Sequence, residues 1–382
     1  MQYMCPIFQR MSQHPRLELV VAYCTMRGAE EAYDSEFGTN VKWDIPLLEG
    51  YKWVHVPNKG SGGESFWGLN NPGLWELVRD GKFDATLVFT GYRRASFWIA
   101  WLRAKLSRVG VLFGTDAASL EARDGSSAKR AFKKIFWPVL YRLADQVIVP
   151  SSATKDLMLS LGLPQERVTL TPYSVDNEWW FAKSAEVDRA KTRESWNVPA
   201  DATVVLFCAK LQPWKRPMDL LRSFGEAQLE NGFLVFAGTG PQREELEETA
   251  RALGIVDRVR FLGFMNQTQL PAVYAASDVM VLPSEYEPFA VVVNEAYCCG
   301  CPVVVSDRVG AGRDLVVPVD PNLIYRCGDV RGLAGILKEL VNDPTRLRQL
   351  REGIQARMRV WSPDANVSAV VDALDAIERR RK

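Results

Sequence analysis

The sequence predicts an α/β protein of two Rossmann-like domains, and three observations carry that reading. The chain is 382 residues long, more than one ordinary hydrophobic core accommodates. Short apolar strands alternate with helices across short connections, the pattern of parallel sheets covered on both faces. The alternation breaks once, at "TPYSVDNEWWFAKS", and then restarts. An N-terminal domain is therefore expected over 1–175 and a C-terminal domain over 176–363, with a last helix, 364–382, packing back on the first.

The first clear strand is "LELVVAYC", preceded by a helical segment from about Cys5 to Gln13. A doubly wound domain ordinarily opens on a strand. Either a strand and its loop precede Met1 or the start is misassigned, so the N-terminal domain is expected to lack its first strand. An irregular stretch rich in Gly, Trp and Asn follows, from Phe37 to Gly73. Then come helix "PGLWELVRDGK", strand "FDATLVFT", a basic helix over 95–108, strand "VGVLFGT", helix "AKRAFKKIFWPVLYRLA", strand "DQVIVPS", helix "SATKDLMLSLG" and strand "RVTLTP". After the break the strands are "TVVLFCAK", "GFLVFAGTG", "VRFLGF", "DVMVLPS", "PVVVSD" and "LIYRCGD".

Composition narrows the function classes. With 47% hydrophobic and 24% charged residues the chain reads as a globular enzyme, and a net charge of +1 gives no bias toward nucleic acid. Seven cysteines in this length make no disulfide framework and fit a reducing cytoplasm. The cluster Cys298, Cys299 and Cys301 invites a metal reading, but the two histidines, His14 and His55, lie far upstream. A structural zinc wants four ligands, so small residues packing a helix-to-strand turn are the better reading, and no metal is expected. No apolar run reaches the ~18 residues that span a bilayer, and the N-terminus carries no secretion signal. The expectation is a cytoplasmic protein, or one peripheral on the cytoplasmic face of the membrane.

Charge is locally uneven. Lys129, Arg130, Lys133 and Lys134 cluster beside Phe132, Phe136 and Trp137, with Pro138 ending or kinking that helix, and a second basic helix precedes it. An interfacial helix buries aromatics and offers cations to anionic lipid. Lys129, Arg130, Lys133, Lys134, Phe136 and Trp137 are the candidate contacts with an inner-leaflet surface. The plainer alternative is an ordinary amphipathic helix with a solvated basic face.

Chemistry concentrates in the second half. In "SEYEPFAVVVNEAYCCGCPVVVSD", Glu287 and Glu295 stand eight residues apart between two strands. A crossover helix with Pro288 in its first turn would point its free N–H groups at the carboxyl ends of the strands, where open sheets bind ligands. Both carboxylates would then reach one ligand. The alternative makes Glu287 a dipole partner and Glu295 a solvated helix residue. Lys210 and Lys215, in "AKLQPWKRP", follow another strand and could neutralise a diphosphate; a solvated basic loop is the commoner outcome. Gly238 and Gly240, in "AGTGP", permit close backbone approach, and the third glycine of a dinucleotide fingerprint is absent.

Together these motifs closely resemble the nucleotide-sugar-binding domain of the retaining family 4 (group 1) glycosyltransferases, from Thr203 to about Asp329. The N-terminal half is more loosely similar, through "GTNVKWDIPLLEGY" and "TPYSVDNEWW". The resemblance implies a GT-B fold, two Rossmann-like domains facing each other across a cleft. It implies transfer of a sugar from an NDP-sugar to a saccharide or lipid-linked acceptor with retention, in cell-surface polysaccharide biosynthesis, with no cofactor and no metal. Glu295 would bind the ribose hydroxyls, Glu287 would lie against the sugar, and the backbone at Phe289 and Ala290 would meet the sugar and distal phosphate. Lys210 and Lys215 would hold the diphosphate, and Gly263 and Phe264 would meet the base. The catalytic set would be Glu287, Lys215 and Asp116, the last standing near the place where many relatives have a histidine. A helix N-cap is the plainer reading of Asp116. The chain departs from the family at Ala290, where glycine is frequent, and at Lys210, where arginine is. No D-x-D motif occurs. The rival readings are a non-catalytic or truncated nucleotide-sugar-binding subunit, and a nucleotide-sugar epimerase or hydrolase.

Overall fold

The computed structural model describes residues 2–26, 28–34, 39–121 and 125–381. They form two compact units, each built on a parallel sheet: unit 1 comprises the chain to residue 30, 46–173 and 363 onward, and unit 2 comprises 31–45 and 174–362. The α/β architecture read from the alternation of strands and helices is the one observed.

In chain order the elements are α1 (Cys5–Gln13), β1 (Val20–Tyr23), the antiparallel hairpin β2 (Ala32–Asp34) and β3 (Thr39–Val41), β4 (Lys52–His55) and α2 (Gly73–Asp80). The regular part of unit 1 follows: β5 (Ala85–Val88), α3 (Ala95–Leu106), β6 (Gly110–Gly114), α4 (Ser127–Arg142), β7 (Gln146–Val149), α5 (Ser152–Ser160) and β8 (Val168–Leu170). Strands β5-β6-β7-β8 pair in sequence order, while β1 pairs with β4. Because successive strand residues face opposite ways, Val111, Phe113, Val147 and Val149 pack with Phe97 and Trp101 of α3 and Leu140 and Tyr141 of α4. Leu112 and Ile148 point the other way, into a second cluster with Ala373 and Ile377 of α14 (Pro363–Arg381). That C-terminal helix also buries Val367 and Val370 against Ile7 and Met11 of α1. Polar ties fix its register: Asn366 donates to the Pro172 carbonyl at 2.9 Å, and Arg380 donates to the Gln146 side chain at 2.7 Å.

Unit 2 carries α6 (Asn177–Ala185), α7 (Arg189–Ser195), β9 (Thr203–Cys208), α8 (Pro217–Ala227), β10 (Gly232–Ala237), α9 (Arg243–Ala252) and β11 (Val259–Gly263). It continues through α10 (Leu270–Ala275), β12 (Val279–Leu282), α11 (Val292–Cys298), β13 (Val303–Ser306), β14 (Ile324–Tyr325), α12 (Val330–Asn342) and α13 (Pro344–Val360). The six parallel strands run β11-β10-β9-β12-β13-β14. From β9 the chain winds outward to β11, then returns to lie on the other side of β9 and winds away again. The strand order therefore reverses between β9 and β12, and the loops after those two strands border one crevice.

One segment assigned to the N-terminal domain by sequence, within 31–45, groups with unit 2. Its end is held by side chains: Asp44 accepts from the Thr268 amide at 3.2 Å, and Asn266 donates to the Lys42 carbonyl at 2.7 Å. Nothing in the strand–helix rhythm signals such a local excursion.

Candidate functional site

The reversal of strand order in unit 2 brings the two sequence motifs together. The loop leaving β9 carries Lys210 and Lys215, and the loop leaving β12 carries Glu287. Lys215 forms an ion pair with Glu287, both side chains being mostly buried, and Glu287 accepts from the Ser284 hydroxyl at 3.2 Å. Backbone stitches the same loops, with the Glu285 amide donating to the Trp214 carbonyl at 2.9 Å. Arg216, which the sequence reading did not single out, adds a contact to Glu285 at 3.4 Å while bonded to Asp219 at 2.6 Å. Lys215 is therefore not a loose surface lysine. Removing either partner of the pair would strand a mostly buried charge.

The route to Glu295 differs from the expected two turns of helix. Helix α11 begins at Val292, so Pro288 lies in the preceding loop and Glu295 in the first turn. Three causes act together. Val291, Val292 and Val293 are poor helix starters. Ala290 has φ of +85°, which breaks the helical path. The loop backbone is also engaged elsewhere: Gly310 donates to the Glu287 carbonyl at 3.0 Å and Ala311 to the Phe289 carbonyl at 2.7 Å. A Cβ at Gly310 would overlap the Pro288 carbonyl, so only glycine allows that approach. Seven residues of helix also give a weaker dipole than the one expected.

Glu295 is 1% exposed, which excludes a solvated helix position. Its carboxylate accepts from the Tyr274 hydroxyl at 2.8 Å, and that hydroxyl also reaches Cys208 Sγ at 3.3 Å. Burial and the neighbouring thiol and carboxylate push Tyr274 well above the ordinary phenol range, so it stays a donor. Tyr274 was not predicted; it stands 21 residues upstream of Glu295, on a different helix, with no spacing signal to reveal it.

Other predicted positions divide into those with room and those without. Phe289 is buried, its ring stacked on Trp361 at 6.1 Å, so only its backbone faces the loop. Gly238 and Gly240 are required by the neighbouring β9 loop: a Cβ at either would overlap the carbonyl of Ala209 or Leu211. Gly263 has φ of +77° with open space where a Cβ would stand, and its carbonyl accepts from the Gly238 amide at 2.7 Å; Phe264, next to it, is half-buried.

Cys298, Cys299 and Cys301 fill the turn between α11 and β13. Burial pushes all three thiols up, Cys301 to about 12, which disfavours the thiolate a metal needs. Among the described residues no three His, Cys, Asp or Glu side chains are grouped to hold an ion.

In unit 1, Asp116 is exposed in the loop after β6. It caps no helix: α4 starts eleven residues later, capped by Ser126, whose hydroxyl accepts from the Lys129 amide at 3.3 Å. The predicted membrane face of α4 needs correction. Trp137 is 5% exposed, packs in the core and donates to the Tyr92 hydroxyl at 3.1 Å. Phe136 is half-buried between Phe132 and Tyr92. Lys133 lies over the Trp137 ring at 4.9 Å, and Arg130 pairs with Glu121 at 3.0 Å. The outward apolar residues are instead Phe132, Ile135, Val139 and Leu143, spaced three or four apart along one side of the helix. Helix α4 turns Trp137 and Tyr141 into the core and leaves Phe132 outward with the aliphatics. Pro138 lies inside α4 and does not end it. No helix among the described residues is long and apolar enough to cross a membrane.

Comparison with known proteins agrees with this geometry. Residues 188–357 match the model of the glycosyl transferases group 1 and residues 37–174 that of the glycosyl transferase 4-like domain. The chain is 32% identical over 213 residues to a 2-deoxystreptamine glucosyltransferase of Streptomyces kanamyceticus, covering 54% of this chain and 53% of that one. It is 34% identical over 184 residues to the lipopolysaccharide core biosynthesis glycosyltransferase LpsD of Rhizobium meliloti, covering 48% and 52%. The chain thus spans about half the length of the curated relatives it matches. In fold it is similar to HepE of Anabaena, solved with UDP, at a TM-score of 0.72 and 19% identity over 98% of this chain and 96% of that one. With the two family models meeting near the unit boundary and the motif residues gathered where the strand order reverses, the chain belongs to the group 1 glycosyltransferases of the GT-B fold.

Proposed function

We propose that this chain is a retaining glycosyltransferase that moves a sugar from a uridine diphosphate sugar to a saccharide or lipid-linked saccharide, in assembly of a cell-surface polysaccharide. The observation that carries it is the meeting of Lys215 with Glu287 at the strand-order reversal of unit 2, with Glu295 buried in the first turn of the helix that follows. HepE, similar in fold, was solved with UDP and with UDP-glucose, which supports the donor class. LpsD, in lipopolysaccharide core biosynthesis, supports the acceptor class.

In the reaction the bond between the anomeric carbon and the diphosphate oxygen breaks, and its electron pair leaves with the diphosphate. The acceptor oxygen bonds to the same carbon from the same face. Its proton passes to the departing phosphate, with Asp116 as the alternative base. Lys210 and Lys215 take up the developing negative charge, the work a metal ion does in other transferases. Glu287 holds Lys215 in position before the donor arrives and lies against the sugar. Glu295 accepts from the ribose hydroxyls, its second oxygen fixed by Tyr274. The backbone at Phe289 and Ala290 meets the sugar and distal phosphate, and Gly263 and Phe264 meet the base.

Titration calorimetry of UDP, GDP and UDP-glucose against wild type, Glu295→Gln and Glu295→Ala tests the donor site. Binding of UDP that weakens at least tenfold in both variants is expected. A wild type that binds no nucleoside diphosphate refutes the reading.

A peripheral position on the cytoplasmic face of the membrane is part of the same proposal. The outward row Phe132, Ile135, Val139 and Leu143, flanked by Lys129, Lys134 and Arg142, supports it. Sedimentation with phosphatidylglycerol–phosphatidylcholine vesicles should capture wild type and release Ile135→Glu/Val139→Glu. Equal capture of both would remove the helix from the interface.

A further inference from the structure

We propose that Trp67, presented with Phe66 on the 58–70 loop, is a stacking platform for a pyranose ring of the acceptor. This rests on the glycosyltransferase reading and adds to it a binding residue in unit 1. Trp67 is 64% exposed and Phe66 42%, their rings meeting edge to face at 5.0 Å. Single apolar residues on a surface need no explanation. Two adjacent aromatics on a loop built to hold them still do.

The loop is tied at every level. Asn58 accepts from the amides of Gly60 at 3.0 Å and Asn70 at 2.7 Å and donates to the Gly68 carbonyl at 2.9 Å. Lys59 donates its amide to the Asn70 carbonyl at 2.8 Å, and Gly62 to that of Gly68 at 2.9 Å. Arg94, at the start of α3, reaches the carbonyls of Gly63 at 2.7 Å and Ser65 at 2.8 Å. A Cβ at Gly60 would overlap the Trp67 carbonyl, and one at Gly68 would overlap that of Gly63. The backbone therefore folds on itself as closely as glycine permits, and what it lifts into solvent is the aromatic pair. A rigid indole supplies contact area at low entropic cost on binding.

Position indicates the ligand. Asn71, closing the loop, donates to the carbonyls of Cys24 at 2.9 Å and Val56 at 2.7 Å, the residues immediately after β1 and β4. The platform thus stands at the carboxyl ends of unit 1 strands, the edge where open α/β sheets bind ligands. Asp116, after β6, and exposed Phe89, after β5, belong to carboxyl-end loops as well. A pyranose has an apolar C–H face bordered by hydroxyls. That shape matches an indole on a loop that also exposes Ser61, Glu64 and Ser65. Glu64 has the wrong sign for an anionic lipid surface, which separates this loop from the row on α4.

The test uses the whole chain, as wild type, Trp67→Ala and Trp67→Phe, with methyl glucoside, methyl galactoside and methyl N-acetylglucosaminide at millimolar concentration. Saturation-transfer NMR should detect at least one pyranoside on wild type through its C–H protons. The signal should fall at least fivefold in Trp67→Ala and partly return in Trp67→Phe, with unchanged thermal melting. UDP titration run on the same samples should give equal affinity in all three. A pyranoside signal that ignores Trp67→Ala, or wild type that binds UDP and no pyranoside, overturns the platform. Vesicle capture that depends on Trp67 overturns it in favour of a membrane contact. A Trp67-dependent pyranoside signal without UDP binding leaves the platform standing and refutes the donor reading instead.

Discussion

The two units, each built on a parallel sheet, differ in where they carry buried charge and exposed apolar side chains. In unit 2 the buried polar residues include four charged ones, Arg193, Asp219, Asp314 and Glu295, while those of unit 1 among the described residues are neutral, such as Asn71, Ser96 and Gln146. In unit 1 the departures are outward: Trp67, Phe89, Leu106, Phe132 and Ile135 stand exposed. A buried charge is costly unless its partners are fixed, so each of these four must be held by its neighbours in the folded state. An exposed aromatic or aliphatic costs the folded state little and gains a partner only when something binds. Under the proposed function, the buried charge of unit 2 would serve the donor and the exposed rings of unit 1 the acceptor.

The sharpest way to break this contrast is at the ion pair. Lys215→Met should lower turnover about 10²–10³-fold, because in the proposed reaction it removes the charge that takes up the departing diphosphate; transfer rates at saturating donor measure it. A loss below fivefold would mean that Lys215 serves only the loop. Next in size is Gly238→Ala, whose Cβ would overlap the Ala209 carbonyl at a residue with φ of +144°. It should cost about 2–4 kcal/mol in urea unfolding. Gly62→Ala, in the unit 1 loop at φ +78° with open space around it, should cost only about 1 kcal/mol. Equal losses would deny that the overlap with the Ala209 carbonyl, and not the positive φ alone, sets the cost at Gly238.

Alkaline pH should weaken unit 2 through its buried thiols. Cys208 and Cys301 are raised to about 12 by burial, so the folded state keeps protons that the unfolded chain begins to lose above its ordinary thiol range. Their contribution is complete below pH ~8.5 and is lost progressively toward 12, about 1–2 kcal/mol for each thiol by pH 10. Urea midpoints at pH 7.5 and 10 for wild type and for Cys208→Ala/Cys301→Ala measure it; the variant should show the smaller decline. The smallest effect is at Ala290, whose φ of +85° suits glycine. Ala290→Gly should leave stability within about 1 kcal/mol of wild type, relief of strain being offset by the freer unfolded chain. A loss above 2 kcal/mol would show that the methyl group packs.

Much of this was legible in the chain itself. Alternation of apolar strands and helices determined the fold class, because a strand covered on both faces must be apolar throughout, as in "VVVS" and "TVVLFC". Spacing and charge marked Lys210, Lys215, Glu287 and Glu295 as candidates beside plainer alternatives, and it was their joint resemblance to a nucleotide-sugar-binding domain that set them apart. The order of the strands in the sheet was not legible, and it is what lets the loops after β9 and β12 meet. Tyr274 behind Glu295, the glycines that fit carbonyls of another loop, and the inward turn of Trp137 were equally hidden. Each depends on which distant segment lies within a few ångströms, and packing among elements far apart in sequence decides that. The sequence determined which elements form and which residues carry charge; only the tertiary structure decided which charges are paired, which are buried, and which aromatic rings remain in solvent.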